Sequence, residues 1–162
     1  LRFHSHENIG YGEIYLPPEE MQTRALAVLF QPDSAGAQAL LALGDESKQA
    51  VALSGILSLI RSLAPIRLLC DFGDLGGSYR VRDDHYGVLA LYLWDRYPGG
   101  TGLCEALLEL MPDVLADALS RLGSCDCGSG CPSCAGLDQA EDAVRGFRKR
   151  GALAVLSAIV RS

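Results

Sequence analysis

Apolar and polar positions change period several times along the chain. Tyr11-Gly-Glu-Ile-Tyr-Leu16 alternates, which predicts a strand, and Pro17-Pro18-Glu19-Glu20 breaks it. Residues 23–30 form a compact apolar run read as a second strand, although a helix also fits. From Asp45 the spacing turns helical: Leu53, Ile56, Leu57, Ile60 and Ala64 share a face, Asp45 can cap the start, and Pro65 is expected to stop it. Residues 66–70 are short and apolar and read as a strand, 71–77 form a turn-rich loop, and 87–95 are a continuous apolar run, the expected centre of a sheet. Beyond Tyr97-Pro-Gly-Gly-Thr-Gly102, Leu103, Ala106, Leu107 and Leu110 mark one helix. Val114, Leu115, Ala118, Leu119 and Leu122 mark another, ending at Gly123. A final helix carries Leu153, Leu156 and Val160 on its apolar stripe, with Arg145, Arg148 and Lys149 facing outward. These elements predict one α+β domain over residues 1–162, with a small sheet and several packed helices.

Composition narrows the function. The chain of 162 residues is 49% hydrophobic, enough for a substantial core. Its longest uninterrupted apolar run, residues 88–94, falls well short of the roughly 20 residues that cross a bilayer. No charged start followed by an apolar segment opens the chain, so a cytoplasmic protein without a membrane span is expected. Lysine occurs only at Lys48 and Lys149, neither within G-x-x-x-x-G-K-[ST], so ATP chemistry would have to come from elsewhere. The opening Leu1-Arg2-Phe3-His4 reads as mid-sequence, the expectation being a piece of a longer protein.

Charge and cysteine are both unevenly distributed. All 20 acids precede residue 145, whereas residues 145–162 carry Arg145, Arg148, Lys149, Arg150 and Arg161 and no acid. Arg145, Arg148, Lys149 and Arg150 are thus candidate phosphate contacts for a nucleic acid, with a solvated helix face as the plainer reading. Four of the six cysteines fall within Cys125-Asp-Cys-Gly-Ser-Gly-Cys-Pro-Ser-Cys134. Disulfides there would close only very short loops, in a chain whose apolar content needs no staples. A metal explains the crowding better: four thiolates must converge on one centre, and Gly128, Gly130 and Pro132 supply the tight reversals. Cys125, Cys127, Cys131 and Cys134 are therefore the candidate ligands, of one zinc ion by preference, with an iron–sulfur cluster as the alternative. Cys70 and Cys104 sit in apolar company and read as core.

Other constellations are weaker. Asp71, Asp74 and Asp95 each follow a predicted strand and could hold Mg²⁺ in a hydrolase or nuclease, or simply form turns. Asp71-Phe72-Gly73 spells a kinase triplet without the other kinase motifs. Gly99-Gly100-Thr101-Gly102 could cradle a phosphate, or make a tight strand-to-helix turn with Thr101 as the helix cap. Cys104, in the first turn of the following helix, could be a nucleophile with His85 as base, although nothing places His85 nearby. His4 and His6 read as surface residues.

Taken together, Trp94-Asp-Arg-Tyr-Pro-Gly-Gly-Thr-Gly-Leu103, a helical spacer and Cys125-Asp-Cys-Gly-Ser-Gly-Cys-Pro-Ser-Cys134 resemble the signature of the MrfA-type zinc-binding domain. That domain lies at the C-terminus of a group of DEAD/DEAH-box superfamily 2 helicases. Glu7-Asn-Ile-Gly-Tyr-Gly-Glu-Ile-Tyr-Leu-Pro17 and Leu68-Leu-Cys-Asp-Phe-Gly-Asp-Leu-Gly-Gly77 extend the resemblance over most of the chain. The resemblance implies zinc on Cys125, Cys127, Cys131 and Cys134, in an accessory domain of an ATP-dependent DNA helicase linked to DNA repair. It implies as partners a motor N-terminal to Leu1 on the same polypeptide, and DNA. Some relatives carry the domain in phage-defence proteins without a motor, so a protein-docking role is the alternative.

Overall fold

A computed structural model describes residues 20–137, 144 and 146–161. The expected strand at 11–16, His4, His6 and Arg145 lie outside these residues. The elements run β1 (Ala25–Phe30), α1 (Ala35–Leu41), α2 (Glu46–Leu68), β2 (Leu75–Arg80), β3 (Leu89–Asp95), α3 (Leu103–Ser124) and α4 (Phe147–Arg161). The predicted α+β architecture holds as one small domain of four helices and a three-stranded antiparallel sheet.

The sheet order is β1-β3-β2, with the most apolar strand in the middle as its composition predicts. Alternation separates its faces. Leu26, Val28, Leu91 and Leu93 turn towards α2, while Ala25, Ala27, Tyr92 and Trp94 occupy the opposite face. Strand β2 falls where a loop was expected. The turn-rich loop read at 71–77 takes in its first three residues, Leu75-Gly76-Gly77, but both glycines are needed because neighbours fill the Cβ positions: the Trp94 indole at Gly76 and Leu57 at Gly77.

Helix α2 is the core element, capped as predicted by Asp45, whose carboxylate accepts from Lys48 N at 2.9 Å. It does not stop at Pro65 but runs one turn further, to a left-handed Leu69, and so replaces the strand expected at 66–70. Pro65 lies in the last turn and is itself buried, so packing offsets the lost ladder bond. In length and composition α2 could cross a membrane, but most of that stretch is buried within the domain, against the sheet, α3 and α4. A second correction concerns α3, which is one helix and not two. Cys104, Leu107, Val114, Ala118 and Leu122 form one buried stripe through Pro112, whose exposed position leaves the Leu108 carbonyl open to water.

Helices α2 and α4 cross at glycine contacts. A Cβ at Gly55 would overlap the Arg148 carbonyl oxygen, and one at Gly151 would lie 2.6 Å from the Ala52 Cβ. This close approach sets which residues of α4 reach the end of α3, where the cysteines lie.

Candidate metal centre

Helix α3 ends at Ser124, and Cys125 leaves it in an extended conformation. The chain then reverses twice, helped by Gly130 (φ 132°) and Gly136 (φ 84°), which L side chains adopt poorly. At Gly130 a Cβ would also press on the Gly136 carbonyl at 2.8 Å. The N–H groups of Cys134 and Gly136 both donate to the Cys131 carbonyl at 3.0 Å, closing the turn, and Cys131 N donates to the Cys134 sulfur at 3.3 Å.

The four sulfurs of Cys125, Cys127, Cys131 and Cys134 come together as the sequence spacing predicts, all within 4.8 Å of one another. Individual separations are 3.6 Å for Cys125–Cys131, 3.4 Å for Cys127–Cys134 and 3.6 Å for Cys131–Cys134. None forms a disulfide. A tetrahedral ion with Zn–S bonds of about 2.3 Å holds its sulfurs about 3.8 Å apart, so the donor set fits such an ion with little movement. Hydrogen bonds from Cys125 and Cys134 hold the Cys131 thiol down to about 7, whereas burial and the neighbouring thiols push Cys127 up to about 12. Of these two thiols, Cys131 thus gives up its proton first.

Three cations grip the backbone of this knuckle. Lys149 Nζ donates to the carbonyls of Cys125 and Cys127, Arg148 Nε to that of Ala135 at 2.7 Å, and Arg121 to that of Ser133 at 3.1 Å. Arg148 also reaches Ser54 and Ser58 of α2 at 2.9 and 2.7 Å. Lys149 is only 8% exposed and has no carboxylate partner among the described residues. The buried ammonium is met instead by the two backbone carbonyls of Cys125 and Cys127.

The outward orientation expected for Arg148 and Lys149 is therefore corrected: both turn in towards the cysteines. The signal was in the sequence, since Lys149, Ala152, Val155 and Leu156 fall on one helical stripe and are all buried. That stripe is rotated from the one predicted, leaving Leu153 half-buried and Val160 exposed. Of the three basic candidates among the described residues, Arg150 stays exposed, its guanidinium 4.8 Å from the Phe147 ring centroid.

The remaining candidates are placed apart. Asp95 is fully buried at the start of α3, where it accepts from Thr101 N (2.6 Å), Thr101 Oγ1 (3.2 Å), Leu103 N (3.3 Å) and Cys104 N (3.1 Å). It occupies the N–H groups that a phosphate would need. The helix N-cap is Gly102, not Thr101 as expected, and Asp95 does the capping from across the chain. Burial raises the Asp95 pKa, but these hydrogen bonds outweigh it and hold the carboxyl below its ordinary value. Asp74 is engaged with Asp71 N and the Tyr97 hydroxyl, and among the described residues only the four cysteines gather as metal donors. Burial, with Asp95 beside it, pushes the Cys104 thiol up to about 12, which suits a core residue and not a nucleophile.

The family model described as MrfA Zn-binding domain matches residues 56–135, a span that contains all four cysteines. YprA of Bacillus subtilis (strain 168), an uncharacterised ATP-dependent helicase, is 31% identical over 140 residues, or 85% of this chain and 18% of that protein. An uncharacterised protein of Methanocaldococcus jannaschii is 33% identical over 78 residues, covering 46% of this chain and 70% of that one. The crystal structure of the DUF1998 helicase MrfA bound to DNA has a TM-score of 0.68 at 29% identity, covering 95% of this chain and 19% of that one. The chain thus spans about a fifth of the length of the helicases it matches.

Proposed function

Because the chain belongs to the MrfA Zn-binding domain family, we propose that it is the zinc-organised accessory domain of an ATP-dependent DNA helicase. Its partners in this reading are the motor domains of the same polypeptide and DNA, and its task is to support strand handling in DNA repair. The observation that carries the reading is the knuckle itself: four sulfurs within 4.8 Å of one another, on a loop whose backbone a buried lysine holds. Cys125, Cys127, Cys131 and Cys134 hold one zinc ion, and Lys149, Arg148 and Arg121 hold the loop that presents them. The likeness to a helicase solved with DNA, and to a second ATP-dependent helicase, supports the wider role.

Zinc in such a site supplies structure. Four thiolates leave no coordination position for water, so the domain itself carries no hydrolytic step, and ATP turnover belongs to the motor. The sulfur spacing favours a mononuclear ion over a [4Fe–4S] cluster, which hangs each thiolate on a separate iron and so spreads the sulfurs further apart.

Elemental analysis and an absorbance spectrum of chain purified without added metal test the site. One zinc per chain and a colourless solution are expected. Iron with a brown thiolate-cluster spectrum, or absence of any bound metal, overturns it. For the wider role, a parent helicase lacking this domain should keep DNA-stimulated ATPase activity but unwind poorly, and unimpaired unwinding would refute it.

A further inference from the structure

The sheet face turned away from α2 carries Trp94, Tyr92, Ala25, Ala27, Gly76 and Ser78, and no helix among the described residues covers it. Trp94 stands directly opposite Gly76 in the register. A Cβ there would overlap Nε1, Cε2 and Cζ2, so the indole fills the space over the glycine, and it stays partly exposed. Tyr92 follows two residues away on the same face, its hydroxyl fixed by Asp83 at 2.6 Å, and an open cavity of about 390 Å³ lies between these rings and Met21. Small side chains around two fixed rings make a shallow platform.

Cations mark its two ends. Antiparallel register puts Arg96 beside the Trp94 end, and Arg80 with Arg82 beside the opposite one. All three are exposed and have no carboxylate partner among the described residues, although Arg80 donates to the adjacent Tyr79 carbonyl at 3.0 Å; Arg24, just before β1, turns to the other face and pairs with Glu105 of α3 at 3.6 Å. By contrast Arg61, Arg67, Arg121, Arg148 and Lys149 are engaged within the domain. In a chain of net charge −6, outward guanidiniums at both ends of an aromatic platform match a ligand with flat faces and repeated negative charge.

We propose that this sheet face binds single-stranded nucleic acid, stacking bases on Trp94 and Tyr92 while Arg80 and Arg96 contact phosphates at either end. Single strands are favoured over duplex because stacking on a flat platform needs exposed base faces. This rests on the DNA-handling reading above, and it moves the nucleic-acid contact from the C-terminal basic segment to the sheet.

Trp94 is the only tryptophan in the chain, so its fluorescence reports on the platform directly. Titration of the purified chain with an oligothymidylate of about 12 nucleotides should quench it saturably, and anisotropy of the labelled oligonucleotide should follow the same curve. Trp94→Leu, which still covers Gly76, should weaken binding about 10-fold or more. Arg80→Glu should weaken it and flatten its salt dependence, whereas Arg150→Glu leaves it unchanged. No quenching, equal binding by Trp94→Leu, or tighter binding of duplex than of single strand overturns the proposal. Metal content and melting temperature are read on the same samples: folded, zinc-loaded chain that ignores the oligonucleotide refutes the platform and leaves the zinc reading standing.

Discussion

The Lys149 ammonium lies 2.5 Å from the carbonyl oxygen of Cys127, so a cation from α4 sits directly behind two residues of the cysteine knuckle. Lys149→Gln removes that positive charge while keeping a donor. Outer-shell partners of metal ligands typically contribute 10- to 100-fold in affinity, and a loss of that order is expected in a chelator competition. The cobalt-substituted variant should also show shifted thiolate-to-metal absorption. Unchanged affinity and spectrum would reduce Lys149 to a packing residue.

Replacing the ligand Cys131 with Ser should abolish zinc retention and lower the melting temperature by roughly 5–10 °C. Cys134 and Ala135 join the core, but most of it comes from α2, the sheet and α3, so helical circular dichroism should persist below that temperature. A variant with wild-type metal content would refute the ligand assignment. Zinc retention in the parent should also fall as pH drops, since protons compete for the thiolates.

Asp95→Ala strips four donors at the start of α3 of their shared acceptor and should cost about 3 kcal/mol by chemical denaturation. Asp95→Asn separates charge from shape. The folded-state pKa lies below that of the unfolded chain, so the carboxylate's contribution is fully present above pH of about 4 and is lost as pH falls through the folded value. The stability gap between Asp95→Asn and the parent should therefore be open at pH 7 and close in acid. A gap independent of pH would contradict the charged cap.

Gly55→Ala drives a methyl into the Arg148 carbonyl, and it should destabilise the chain by about 1–3 kcal/mol. Because α4 must shift to make room, zinc affinity should fall as well, although Gly55 does not touch the knuckle. Gly44→Ala is the comparison: its positive φ (102°) strains the turn, but its only neighbour is the distant Lys48 ammonium, so stability alone should change.

Much of this was readable from residue order. The cysteine crowding, the Asp45 cap and the central apolar strand are local signals, and each appears where its chemistry requires. Pro65 misled because proline's cost depends on where the lost bond lies, here in the last turn of a packed helix, which is a tertiary fact. Strand β2 was hidden for a similar reason: Gly76 and Gly77 look like a turn until Trp94 and Leu57 are seen filling their missing side chains. Lys149 was mistaken for a surface charge because its partners, the carbonyls of Cys125 and Cys127, are 24 and 22 residues away and carry no signature in the sequence.

The grip of α4 on the knuckle also has a consequence for biosynthesis. The four cysteines leave the ribosome before Arg148 and Lys149 do, so a growing chain presents its thiols while their cationic backing is still unsynthesised. Metal captured at that stage is held by sulfur alone. In the folded chain α4, packed across Gly55, adds its cations to the backbone of the knuckle, so the last helix to be made completes a holder whose sulfurs were synthesised before it.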